Sequence, residues 1–193
     1  MLKKVKKGEP GYFTYRKKQT GLAMFCGYLM VIFSFFFGLY AYADRRNLFT
    51  VIAIILMLPT AKMTVQFLMY PRKGKATKEQ YDSLKEKFPN INILCDLLIT
   101  PEKKYIELTY TAITKENIII YCQDKKLDLG FHSDFIKKFM NASDCKVNVS
   151  FYQDYNKFVN RLNNIFVNTQ KDGLVDDNKR VDEIIHNFMI MSI

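Results

Sequence analysis

The chain of 193 residues is 49% hydrophobic and 15% aromatic, a composition too apolar for a disordered chain, and its formal net charge is +10. The charge is unevenly distributed, because residues 1–75 contain 13 lysines and arginines against two acidic residues, whereas residues 76–193 contain 16 against 17. The basic excess therefore lies beside the long apolar runs near the N-terminus. This arrangement favours the anionic inner leaflet of a membrane as the partner and argues against a nucleic-acid-binding protein.

The first apolar run, residues 21–43, is 23 residues long and contains no charged side chain. About 20 such residues are needed to cross the hydrocarbon core of a bilayer. A basic segment, residues 1–20, precedes this run, as in a signal peptide, but the run is too long for one and ends in bulky aromatic side chains. We therefore predict a basic cytosolic N-terminus followed by a retained transmembrane helix.

A second apolar helix is predicted over residues 48–70, after a polar turn at 44–47, so that residues 21–73 form a transmembrane helical hairpin. Lysines and arginines flank both outer ends of this hairpin, and only two lie in the turn. The positive-inside rule then places both termini in the cytoplasm. Four small residues of the first helix could pack closely against either the second helix or a partner: Gly21, Gly27, Ser34 and Gly38.

Pro59 and Lys62 interrupt the apolar run of the second helix, and Gln66 follows one turn after Lys62. The apolar part before the proline, Leu48–Leu58, would span roughly 17 Å of helix, which is short of the ~30 Å hydrocarbon core. We predict a break near Pro59, with three alternatives for the remainder of the segment. Residues 60–73 could form an interfacial amphipathic helix, Lys62 and Gln66 could meet a polar partner in a larger membrane assembly, or they could line a substrate or ion pathway.

Residues 74–193 predict a cytosolic α+β domain, an α/β sandwich of two or three layers, with the element order α-β-β-β-α-β-α-α. Strands are predicted at 91–100, 104–114 and 118–122, and a fourth begins at Cys145. The second strand alternates and predicts a half-exposed sheet, with one face made of Ile106, Leu108, Tyr110 and Ala112. Ser133 is the predicted N-cap of the helix after the third strand.

The usual catalytic motifs are missing from the sequence. The eight glycines form no phosphate-binding loop, and neither His132 nor His186 has metal-ligand spacing. The four cysteines are dispersed, which predicts reduced thiols rather than disulfides or a zinc site. We therefore predict no cofactor and no metal, and an enzyme is the less favoured class.

The predicted order of elements over residues 77–152 resembles the core of the PD-(D/E)xK nuclease-like fold. In that fold, acids on successive strands hold Mg²⁺ and a lysine two residues later orients the attacking water. The resemblance implies Asp96 and Glu107 as the acids, although Thr109 stands where the lysine would be. A membrane-tethered, metal-dependent phosphodiesterase or nuclease is thus one alternative function.

The whole layout resembles small two-helix membrane proteins of bacteria that carry a cytosolic α/β domain, with Pro59-Thr60-Ala61-Lys62 as the shared element. That resemblance implies a bacterial cell membrane and carries no known activity. The leading hypothesis is a non-enzymatic, membrane-anchored subunit that binds or regulates another protein or forms a homo-oligomer. A small transporter or channel subunit built around Lys62 is the third alternative.

Overall fold

A computed structural model describes residues 5–42, 47–71, 74–101, 105–124, 128–171 and 178–192. The chain divides into two compact units. The first unit contains residues 13–73 and the second contains residues 5–12 together with residues 74–193. Most of the predicted turn at 44–47 lies outside the described residues.

The first unit consists of two long apolar helices, α1 (Tyr12–Tyr42) and α2 (Leu48–Met69), except that the first residue of α1, Tyr12, belongs to the second unit. Both are long and apolar enough to cross a membrane. Helix α1 begins nine residues before the predicted start at residue 21. The early start has a local chemical cause, because Arg16, Lys17 and Lys18 are good helix formers although they contribute no apolar surface.

Helix α2 runs without interruption through Pro59, so the predicted break near this residue is not a helix end. Proline removes one backbone donor but leaves the rest of the hydrogen-bonding pattern available. The helix is capped at its start by Asn47, whose side-chain oxygen accepts the N–H of Thr50 at 2.9 Å. Lys62 and Gln66 therefore lie on the same helix as the apolar run that precedes them.

The second unit is a mixed α+β fold with the predicted order of elements. Its helices and strands are α3 (Lys78–Lys87), β1 (Asn92–Ile99), β2 (Ile106–Ile113), β3 (Asn117–Tyr121), α4 (Leu129–Ala142), β4 (Asn148–Tyr152), α5 (Tyr155–Lys171) and α6 (Asn178–Met191). The strands form one sheet in the order β1-β2-β3-β4. The β1-β2 and β2-β3 pairs are antiparallel, whereas β4 pairs with β3 in parallel.

Helices cover both faces of this sheet, which makes three layers. One apolar cluster joins the sheet to α4 and α6 through Ile136, Met140, Ile184 and Phe188. A second cluster joins the opposite face to α3 and α5 through Leu84, Phe88, Phe158, Leu162 and Ile165. Because both faces are covered, the second strand is buried rather than half-exposed, and Thr109 and Thr111 are fully enclosed.

The odd-numbered residues of β1 lie on one face of the sheet before Asp96 and on the other face after it. Cys95 belongs to the α3/α5 cluster, whereas Leu97 belongs to the α4/α6 cluster, although alternate residues of a regular strand share one face. Asp96 has a φ of +50°, in the left-handed region, and this single residue reverses the alternation. Its side chain is thereby placed inside the unit.

Strand β2 makes the same change directly across from Asp96. The register pairs Cys95 with Tyr110 and Leu97 with Leu108, so each cross-strand pair stays in one cluster. The predicted single face of Ile106, Leu108, Tyr110 and Ala112 is therefore wrong: the first two face α4 and α6, and the last two face α3 and α5. Alternation of residues along the sequence cannot predict the position at which the side chains of both strands switch to the other face of the sheet.

Helix α4 begins earlier than predicted. Asp128 is its N-cap, with Oδ1 accepting the N–H groups of Gly130 at 3.1 Å and Phe131 at 3.2 Å. The prediction of Ser133 as the cap is wrong, since its hydroxyl instead donates to the carbonyl of Val149 at 3.3 Å. Aspartate and serine both accept helix N–H groups, so either residue is an acceptable cap by sequence alone.

Candidate functional site

Helix α2 packs against α1 along a side where glycines allow close approach. A Cβ atom on Gly27 would lie 2.7 Å from Thr60 Oγ1, and one on Gly21 would lie 3.0 Å from the ring of Phe67. Likewise, a Cβ atom on Gly38 would lie 2.7 Å from Cβ of Phe49. The small residues of the first helix therefore serve packing within the hairpin.

Hydrogen bonds fix the same side of α2. Tyr28 Oη and Thr64 Oγ1 are 3.1 Å apart, and Ser34 Oγ donates to the carbonyl of Phe49 at 3.1 Å. Near the end of α2, Lys17 Nζ donates to the carbonyl of Tyr70 at 2.7 Å. A cation at a helix C-terminus also interacts favourably with the helix dipole. These links determine which side of α2 faces away from α1.

The opposite side of α2 is an exposed apolar stripe with a lysine inside it. Leu58 is 74% exposed, and the same side carries Ile54, Val65 and Leu68, all of them exposed. Lys62 is exposed one turn after Leu58, within this stripe. The residues of this side, 54, 58, 62, 65 and 68, are called the outer stripe of α2 below.

Lys62 makes no ion pair or hydrogen bond with any residue that the structure describes. Gln66, one turn later, is half-buried. Thr60 and Thr64, the nearby hydroxyl-bearing residues, instead donate to the carbonyls of Leu56 and Thr60 within α2. The described hairpin thus contains an outward-facing cation and no internal group that balances it.

The second unit contains the opposite arrangement at Asp96, an acid enclosed by donors. Its side chain is fully buried, with Oδ2 accepting the N–H of Gly11 at 3.0 Å and Oδ1 accepting the N–H of Ala76 at 3.3 Å. Gly74 lies directly against the same carboxylate, where a Cβ atom could not fit. Removal from water raises the pKa of Asp96 to about 6, although the two N–H donors oppose that rise and nearby Glu107 adds to it.

Glu107 lies on β2 and forms an ion pair with Lys75, with Oε2 3.4 Å from Nζ. Its Oε1 and the Thr109 hydroxyl are buried without a hydrogen-bond partner among the described groups. The structure therefore brings both predicted acids to one region, but Asp96 is enclosed and Glu107 is held by a lysine. Among the described residues, no cluster of three or more acidic, histidine or cysteine side chains could hold a metal ion.

The segment before α1 lies along β1 and belongs to the second unit, a placement that sequence patterns do not predict. The carbonyl of Gly8 accepts both the N–H of Cys95 at 2.9 Å and its thiol at 3.3 Å. Lys7 Nζ donates to the carbonyls of Met189 at 2.9 Å and Ser192 at 2.6 Å, at the end of α6. Residues 5–12, called the strap below, are thus tied to the α/β fold at several points.

Two glycines permit the path of the strap. Gly8 and Gly11 have φ values of +89° and +86°, a region in which glycine has no steric penalty. The sequence signal is the pair of glycines in "GEPG", which predicts a turn but not its contacts. The charge pattern predicts that the basic residues around this turn face a membrane, yet Lys7 instead binds the end of α6.

Comparison of the chain with protein-family models, with curated proteins and with solved structures finds no match.

Proposed function

We propose that this protein is a membrane-anchored binding or regulatory subunit. The hairpin crosses the bilayer, and both termini lie on the cytoplasmic side, beside the anionic leaflet. Support comes from the two apolar helices, each of which has an apolar stretch of 18 residues that is only 11% buried. A soluble core helix of that hydropathy would be largely covered, and a lipid environment removes the cost of exposing it.

The observation that carries the proposal is Lys62 within the outer stripe of α2. A lysine at the centre of a membrane helix costs about 2.5–3.5 kcal/mol on insertion scales. Lys62 precedes the last residue of α2, Met69, by seven positions, which is roughly 10 Å along the helix. At this depth the ammonium group lies inside the apolar region of the bilayer unless the side chain extends to the membrane surface. An ammonium group that stays inside needs an opposite charge to balance it.

Lysine side chains can reach a membrane surface by extending along the helix, but the direction is unfavourable here. Side chains lean toward the N-terminus of their helix. In the proposed topology α2 begins on the outer side, so Lys62 leans away from the nearer, cytoplasmic surface. A second membrane helix carrying a carboxylate would balance the charge, with Gln66 offering a hydrogen bond one turn away. We therefore infer that the outer stripe docks a partner membrane protein through Lys62.

The test is affinity purification from native membranes in mild detergent. Wild type, Lys62→Leu and Lys62→Arg are compared, with Lys18→Leu as the matched control because Lys18 is an exposed lysine outside the apolar stripe. Wild type, Lys62→Arg and Lys18→Leu should recover similar amounts of the same membrane protein. Lys62→Leu should recover at least about tenfold less of it. Neutralising an acidic residue in a membrane helix of that partner should have the same effect.

Equal recovery of the same proteins with Lys62→Leu and wild type would contradict docking through Lys62. Recovery of the protein alone, in every variant and in several detergents, would favour a protein that works by itself or as a homo-oligomer. The oligomeric state in lipid nanodiscs separates these two outcomes.

A further inference from the structure

A single carboxylate holds the backbone on both sides of the hairpin. Asp96 accepts the N–H of Gly11, which precedes α1 in the chain, and the N–H of Ala76, which comes after α2. Both contacts lie within the α/β unit. Residues 74–77, called the connector, lie between α2 and α3. The attachment of the strap and the attachment of the connector therefore depend on the same side chain.

When the strap and the connector are attached, water is excluded from Asp96. The carboxyl group has no exposed surface, and Gly74 lies directly against it. The strap also covers the preceding residue, Cys95, whose thiol donates to the carbonyl of Gly8 at 3.3 Å. Detachment of the strap would expose both side chains to water, and Cys95 would become reactive.

We propose that Asp96 is a proton-linked latch, in which uptake of a proton by its carboxyl group favours the attached form of the strap over the detached form. This inference does not depend on the proposed docking through Lys62. Its physical basis is solvation, because the charged carboxylate is stabilised by water in the detached form and loses that water in the attached form.

The direction of the pH dependence follows from the difference between the pKa of Asp96 in the attached form and its pKa in the detached form. In the attached form the pKa of Asp96 is about 6, raised mainly by burial, and in the detached form it returns toward 3.8. The attached form therefore binds the proton more tightly, and attachment strengthens as the pH falls. Between pH 7.5 and pH 5 the equilibrium should shift toward the attached form by about tenfold.

The other charged groups facing Asp96 set the midpoint of this change. Glu107 on β2 raises the pKa of Asp96, and Lys75 of the connector is paired with Glu107. The negative charge of Glu9, in the strap, contributes to raising the pKa of the neighbouring Cys95 thiol. The pKa of Tyr110 is raised to about 12 by burial, and burial also raises the pKa of the Cys95 thiol, so both stay neutral between pH 5 and pH 8.

The experiment measures how fast each cysteine of the full-length protein in nanodiscs is alkylated between pH 5 and pH 8. Mass spectrometry of peptides separates Cys95 from the other thiols, and each rate is divided by that of the same peptide in denatured protein at the same pH. Cys145 is buried outside the strap and reports global unfolding. Cys95 should become about tenfold more protected from pH 7.5 to pH 5. At each pH it should be less protected than Cys145, because detachment of the strap requires less free energy than global unfolding.

Two variants decide the cause. Asp96→Asn keeps the size of the side chain and removes its titration, so the protection of Cys95 should no longer vary in this range. Glu107→Gln removes a neighbouring negative charge, so the same transition should move to lower pH, and this variant serves if Asp96→Asn does not fold. The latch is overturned if Cys95 protection in wild type does not change with pH, if Cys95 is as strongly protected as Cys145 at every pH, or if Glu107→Gln leaves the midpoint unchanged.

Discussion

Lys62 in the hairpin and Asp96 in the α/β unit are both charged residues in apolar surroundings, but they are treated in opposite ways. Asp96 is enclosed, and both of its oxygens accept backbone N–H groups of residues distant in sequence. Lys62 is exposed on the outer stripe of α2 and makes no ion pair or hydrogen bond with the described residues.

The difference indicates what each charge is for. A buried charge whose hydrogen bonds are made within the same chain organises that chain, and removing its partners is costly. An unbalanced cation on an apolar surface has no such internal role. We therefore assign Asp96 to the attachment of the strap and connector, and we assign Lys62 to the proposed contact with another molecule.

The largest expected effect is the difference in stability between losing a buried apolar side chain of the α/β unit and losing an exposed one of the hairpin. Leu97→Ala removes a side chain with no exposed surface from the α4/α6 cluster and should lower the free energy of unfolding by about 2–5 kcal/mol. Leu58→Ala, in the exposed outer stripe, should change the stability of the α/β unit by less than ~0.5 kcal/mol. Urea denaturation monitored by circular dichroism checks both values, and equal losses would contradict the distinction.

A smaller effect tests how tightly Asp96 is enclosed. Gly74→Ala places a methyl group against a carboxylate held by two hydrogen bonds, and should destabilise the protein by about 1–3 kcal/mol. Gly130→Ala is the matched control, because the nearest atom to its Cβ would be Asp128 Oδ1 at 3.5 Å, an ordinary contact. Thermal denaturation should place Gly74→Ala well below Gly130→Ala, and similar midpoints would show that the carboxylate has room to move.

The pH dependence of stability should carry the signature of Asp96. Its folded pKa of about 6 lies above the ordinary 3.8, so the folded form binds the additional proton as the pH falls from 7.5 to 5. Relative to Asp96→Asn, wild type should gain about 1.4 kcal/mol of unfolding free energy over that interval. Denaturation curves at the two pH values measure the gain, and a relative loss on acidification would reverse the assigned direction.

The smallest expected effect concerns the ion pair beside Asp96. Lys75 is 37% exposed at its side chain, so its attraction to Glu107 is screened by solvent. Lys75→Ala should therefore lower the stability by less than about 1 kcal/mol, with Lys78→Ala as the control for loss of an exposed lysine. A loss above about 2 kcal/mol in urea denaturation, specific to Lys75, would mean that this pair organises the site more strongly than its exposure indicates.

Sequence patterns predict the order of the elements because that order depends on local signals. Apolar, β-branched runs such as "NIIIY" and amphipathic stripes such as Phe158, Leu162 and Ile165 specify strands and helices over a few residues. The strand predicted at 118–122 is present as β3, which lies between β2 and β4. The candidate acids Asp96 and Glu107 also lie on adjacent strands, as the predicted order of strands requires.

The features that the patterns do not predict depend on contacts between distant residues. The strap is tied to β1 and α6 across more than 80 residues of chain, through Lys7, Gly8 and Gly11. The change of face at Asp96 needs one left-handed residue, and aspartate tolerates that conformation without requiring it. Glycine and aspartate supply the freedom for these features, but only the surrounding fold selects them.

The most direct test of the proposed docking is site-specific photo-crosslinking in living membranes. A benzophenone amino acid replaces Leu58, which is 74% exposed one turn before Lys62 on the outer stripe, or Phe33, which is 71% exposed on α1. The docking proposal predicts a protein adduct at position 58 that disappears when Lys62→Leu is added, whereas position 33 gives mainly lipid adducts. Lipid adducts alone at both positions, with Lys62 present, would contradict the proposed contact.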